Sequence, residues 1–162
     1  MKYRRLTIDE LKELEREFHL FLSAHSIPAM EWQKMKSNNA EKAEELIQKF
    51  SDFIFDNVLD KVEFLEYRDE HQIQIADVRN DPFQMRGIRV IGNIKINFKE
   101  DQSPEMIKAL LMKHGGKMQL ISGDKKLENE PNLHKFNLMQ KGFLISKDPD
   151  LYNTIKSMQE EE

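Results

Sequence analysis

The 162-residue chain contains no cysteine. That excludes disulfides, thiolate zinc sites, iron–sulfur clusters and a cysteine nucleophile together. Glycine and proline are sparse, at six and five, and the glycines have neither dinucleotide-fingerprint nor phosphate-loop spacing. Gly115-Gly116 reads as a helix stop, while Ser122 and Ser146 stand outside any G-x-S-x-G elbow. No apolar run approaches membrane-spanning length, and the basic Met1–Thr7 stretch leads into a charged helix, unlike a secretory leader. A cytoplasmic address, no membrane partner and no cofactor are the expectations. The net charge of −4 offers no general field for nucleic acid. The short basic clusters Lys2/Arg4/Arg5 and Lys113/Lys117 with Lys125/Lys126 read as solvation.

Hydrophobic residues make up 39% and charged residues 33%, which suits one globular domain over 1–158. Thr7 and Glu10 have capping-box spacing, with Leu6 and Leu11 placed as a hydrophobic staple. Leu11, Leu14, Phe18, Phe21 and Leu22 then recur at helical spacing to about Ala24. Ile27-Pro28 breaks that helix, and Pro28 opens a short second one bearing Trp32 and Met35. From a cap at Asn38, a long helix carries the stripe Ala43, Leu46, Ile47, Phe50, Ile54 and Val58, with Phe55 and Leu59 as a second ridge.

At Lys61 the period changes. The stretches 61–68, 71–79 and 84–98 predict antiparallel strands, the third divided by a hairpin turn at Gly92-Asn93. Ser103-Pro104-Glu105 starts a helix, and 117–122 forms a strand followed by a polar loop to Pro131. A helix over 133–141 stops at Gly142, 143–146 is a short strand, and Asp148-Pro149 caps a last helix before an acidic tail frayed over 159–162. The fold expected is α+β: helices over 1–60 packed on a mainly antiparallel sheet of three to five strands, with further helices in the last third.

Met1-Lys2-Tyr3-Arg4-Arg5-Leu6-Thr7, Glu41-Lys42-Ala43-Glu44, Phe50-Ser51-Asp52, Val58-Leu59 and Val62-Glu63-Phe64-Leu65-Glu66 resemble an uncharacterised family of small proteins from Bacteroidetes. The resemblance is clearest over residues 1–67 and returns weakly at 142–155. It implies a bacterial cytoplasmic protein and brings no catalytic residue.

Three constellations invite chemistry. Asp52, Asp56 and Asp60 lie along one helix face and could hold a hard cation, although solvated charge is expected opposite an apolar stripe. His19, His25, His71, His114 and His134 include no pair at ligand spacing, and His25 and His114 suit helix carboxyl ends. The order helix, three strands, helix, strand is similar to the restriction-endonuclease-like nucleases, whose chemistry needs an acid on the second strand and acid-x-Lys on the third. Asp77 and Lys95 are the candidates, but Asn93 stands where the second acid belongs.

With no reactive set left over, the preferred reading is a non-enzymatic protein-binding or adaptor domain able to self-associate. Its candidate contact surface is Trp32, Phe55 and Leu59, and its partner another protein or a second copy. The alternative is a degenerate metal-dependent nuclease or phosphodiesterase-like domain, working through Asp77 and Lys95.

Overall fold

The computed structural model describes residues 1–146 and 149–160. Asp148, expected as a helix cap, and Glu161 and Glu162 of the expected tail lie outside the described residues. The chain divides into two compact units, Met1–Asp60 and Lys61–Glu162. The fold is α+β: helices, then an antiparallel sheet, then helices interleaved with its last strands.

In the first unit α1 spans Ile8–Glu13 and α2 Glu15–Ala24. The capping box is present: Thr7 Oγ1 accepts the Glu10 N–H at 3.2 Å and Glu10 Oε1 accepts the Thr7 N–H at 2.9 Å. One helix was expected where two are found. The interruption is confined to Leu14, and the ladder crosses it, since Leu14 N–H reaches Glu10 O and Phe18 N–H reaches Leu14 O. The apolar period therefore survives the break.

Helix α2 ends in a Schellman arrangement. Ser26 takes a positive φ of 59°, Ile27 N–H bonds to Leu22 O and Ser26 N–H to Ser23 O. Pro28 then caps α3, Ala29–Asn38, and α4 runs Ala40–Asp60. The side chain that caps α4 is that of Asn39, which accepts the Lys42 N–H at 3.2 Å; Asn38 still belongs to α3, so the cap falls one residue later than expected. Leu6, Phe18, Leu22, Trp32, Ala43, Leu46 and Phe50 form the buried core of this unit. Each such side chain, fully withdrawn from water, contributes about 1.5–3 kcal/mol.

In the second unit β1 (Phe64–Arg68), β2 (Gln72–Asp77) and β3 (Phe83–Val90) form an antiparallel meander. Helix α5 (Pro104–His114) follows, capped by Ser103, then β4 (Met118–Lys125), α6 (Pro131–Gln140), β5 (Leu144–Ser146) and α7 (Asp150–Glu160). The sheet order is β4-β3-β2-β1-β5 with every neighbour antiparallel. Alternation sends Phe64, Ile73, Ile75 and Ile88 to one face, packed with Ile107, Leu151, Tyr152 and Ile155 of α5 and α7. Leu65, Ala76 and Phe83 point to the other, against Leu138 of α6 and Phe143.

Three boundaries differ from expectation, each through a contact made outside its own segment. β3 is flanked by β2 and β4, so no hairpin forms at Gly92-Asn93, and residues 91–97 take no strand pairing. That segment is instead anchored at both ends, by Ile91 and Gly92 N–H on Lys117 O and by Phe98 N–H on Glu70 O. Its Ile94 and Ile96 pack on the core and Phe98 is fully buried, which explains the strand-like alternation. β4 outruns its predicted end because Gly123, Asp124 and Lys125 pair with Met85, Gln84 and Phe83. Gln159 and Glu160, expected to fray, lie in α7, where Gln159 Nε2 donates to Ile121 O at 2.8 Å.

Candidate functional site

The acidic row has a structural partner in the same unit. Asp52 accepts the Lys2 N–H with both carboxylate oxygens, at 3.0 and 2.9 Å, and the Tyr3 N–H at 3.3 Å. Asp56 accepts the Tyr3 hydroxyl at 2.5 Å and the Lys2 Nζ at 3.4 Å. Arg5 forks onto Glu44 at 2.6 and 3.2 Å, and Arg4 onto Glu10 at 2.8 and 3.0 Å. The Arg4 fork, helped by the Thr7 backbone N–H, holds the Glu10 carboxyl at about 2. Residues 2–6 thus form a strap tied along α4. The basic cluster Lys2/Arg4/Arg5 is engaged in that strap, and among the described residues no three His, Asp or Glu side chains gather as a cation site.

The strap also settles where the predicted contact residues lie. Phe55 is covered by Tyr3, with ring centroids 5.6 Å apart, and by the Arg4 guanidinium 5.0 Å from its centroid. Leu59 is 1% exposed and Trp32 5%. Trp32, Phe55 and Leu59 therefore do not make a shared open surface: Phe55 lies under Tyr3 and Arg4, and Trp32 and Leu59 are buried. His25 behaves as a helix-end residue, its Nδ1 lying 2.9 Å from Phe21 O.

Asp77 and Lys95 are not brought together. Asp77 ends β2 and pairs in register with Gln84, at the start of β3. Lys95 is exposed, five residues beyond Val90 at the other end of β3, in the segment that returns to Glu70 ahead of β2. The length of β2, roughly 17 Å, separates the two ends. Asp77 is occupied by Arg79, which donates from its backbone N–H and Nε to Oδ1 at 3.1 and 3.0 Å and from Nη2 to Oδ2 at 2.9 Å. Burial pushes this carboxyl up, but the Arg79 hydrogen bonds and charge, with Lys156, outweigh it and hold Asp77 below its ordinary value. The Arg79 guanidinium lies 4.9 Å from the Phe64 ring centroid, and Tyr152, its hydroxyl raised by burial, donates to Gln84 Oε1 at 3.2 Å. The cluster knits α7 to the sheet.

A concave surface does occur in the first unit. A groove of about 710 Å³ has Leu11, Phe18, Trp32 and Ile47 as its floor. Lys12 and Lys36 lie on its rim, and Lys36 Nζ is 5.8 Å from the Trp32 ring centroid. Leu11, Phe18 and Ile47 read in the sequence as core, and no motif marks them. The available signal was the row Ile8, Lys12, Glu15 and His19 beside the apolar stripe, with Ile8 an apolar residue 66% exposed at the groove edge.

This is an α+β protein whose helical unit holds an apolar groove and whose sheet unit carries an ion-paired seam. Residues 1–160 match the family of unknown function DUF6495, and the chain belongs to that family. The likeness thus extends well past the first 67 residues. Neither a curated protein nor a solved structure matches the chain. Among the described residues no helix is long and apolar enough to cross a membrane.

Proposed function

We propose that the protein is a non-enzymatic binding module that receives a segment of a partner protein in the groove of its helical unit. The observation that carries this reading is the groove itself, where the partly exposed Leu11 and Ile47 and the exposed Ile8 line one concavity over the buried Phe18–Trp32 pair. Apolar anchors of a partner gain the same transfer free energy in such a floor as in a core. The separation of Asp77 from Lys95, and the engagement of Asp77 by Arg79, favour a binding role over phosphodiester chemistry. The reading takes the protein as a bacterial cytoplasmic one, as its sequence resemblance implies, and a second copy of the chain is among the partners it allows.

Photo-cross-linking from chosen positions tests it. A photoreactive residue at Gln33, in the groove, is expected to give a discrete protein adduct in cells, and one at the exposed Lys49, outside it, is expected to give none. Equal labelling from both positions, or none from Gln33, contradicts the reading. An adduct of twice the chain mass identifies the partner as another copy.

A further inference from the structure

We infer that the segment received is an amphipathic α-helix of about three turns with carboxylates flanking its apolar face; this rests on the binding reading above.

The helical form follows from the walls. The groove is lined by residues of α1, α2, α3 and α4, whose backbone groups bond within their own helices. It therefore presents side chains and no strand edge. An extended peptide laid there leaves its own N–H and C=O groups facing apolar carbon, at a cost per group comparable to a lost hydrogen bond. A helix satisfies those groups internally and offers anchors at i, i+3 or i+4, and i+7. The length follows from the long wall, where Ile8, Leu11, Glu15 and His19 recur over eleven residue steps, about 16 Å or three helical turns.

The charge follows from the rim. The charged residues lining the groove are Lys12, Lys36, Glu15 and His19. Neither lysine has a carboxylate partner among the described residues, and against the single carboxylate of Glu15 they leave the rim with a net positive charge. Two cations beside an apolar floor favour a partner that brings carboxylates to the edges of its apolar stripe and penalise one that brings lysines.

Three fifteen-residue peptides, each labelled at its amino terminus and read by fluorescence anisotropy, test this with the full chain. All carry leucines at positions 4, 8 and 11 on an alanine background. One has flanking glutamates, one flanking lysines, and the third is the glutamate peptide with a central proline. The glutamate peptide is expected to gain anisotropy saturably, and the lysine peptide to bind about three- to tenfold more weakly. The proline peptide is expected not to bind, because proline breaks the helix. The doubly substituted Lys12→Glu, Lys36→Glu protein, checked for unchanged helicity by circular dichroism, is expected to reverse the order of the first two.

Equal affinity for both charges, or no reversal, overturns the charge assignment, and binding of the proline peptide overturns the helical one. In each case a groove that binds proteins survives. Failure of all three peptides overturns the inference alone if the Gln33 adduct forms, and takes the binding reading with it if that adduct is also missing.

Discussion

The hydroxyl of Ser51 holds Leu6 in place. Ser51 Oγ accepts the Leu6 backbone N–H at 3.0 Å and donates to Ile47 O, one turn earlier in α4, at 2.7 Å. Ser51 is fully buried and Leu6 is 2% exposed, so the strap enters the core at this point. Leu6 is followed at once by the Thr7 cap of α1. The bond therefore links the strap, the start of the first helix and the middle of the longest one.

Ser51→Ala leaves the Leu6 N–H without an acceptor in a buried site, and an unsatisfied buried donor costs about 1–3 kcal/mol. Urea unfolding followed by far-ultraviolet circular dichroism is expected to show a loss of that size. Asp52→Ala, which removes the acceptor for two strap N–H groups at a partly exposed position, is expected to cost less than Ser51→Ala. The reverse ranking contradicts the anchoring role given to Ser51.

The Asp77–Arg79 pair makes stability depend on acid. Because the folded-state carboxyl lies below its ordinary value, its contribution is present in full above the unfolded value of about 3.9 and fades as pH falls through the folded one. Asp77→Asn is expected to lower stability at pH 7 and to flatten the decline on the acid side. Thermal unfolding of both proteins from pH 7 to pH 3 checks this, and parallel profiles contradict it.

His134 is 8% exposed in the first turns of α6, and its Nε2 accepts the Asn129 N–H at 3.3 Å while Nδ1 is buried without a partner. A leucine in its place cannot accept that bond. Amide exchange at Asn129 is expected to accelerate in His134→Leu. Unchanged protection in the variant, followed by nuclear magnetic resonance, contradicts the assignment.

Gly142 ends α6 with φ +104°, and a Cβ there would lie 3.4 Å from the Tyr67 ring. Gly142→Ala is expected to cost about 1–2 kcal/mol, since an L side chain pays for left-handed backbone at this turn. Urea unfolding measures it, and a neutral effect removes the conformational reason for this glycine.

Local signals were legible where the physics is local. The Thr7/Glu10 capping box, the stop before Pro28, the Ser103 cap and the Gly142 stop depend on a few adjacent residues, and each is found. The failure at residues 91–98 has a different origin: Ile94, Ile96 and Phe98 alternate like a strand, and only the pairing of β3 with β4 decides that no strand position is left for them. The acidic row on α4 read as solvated charge because nothing in its own neighbourhood reveals that residues 2–5 return, some fifty positions later in the chain, to bind it. Asp77 and Lys95 looked compatible for the same reason, as linear order does not show that they occupy opposite ends of β3. The groove was illegible because Leu11 and Ile47 have the spacing of core residues and do pack on the core, and only the folded arrangement shows that they also line a concavity.

Binding of the partner segment recovered by cross-linking, labelled and followed by fluorescence anisotropy as the full chain or its Leu11→Glu variant is titrated in, tests the binding groove most directly. The groove predicts saturable binding to the native protein and at least tenfold weaker binding when a carboxylate replaces Leu11. Equal affinity for the two proteins, with the variant folded, contradicts the groove as the site of association.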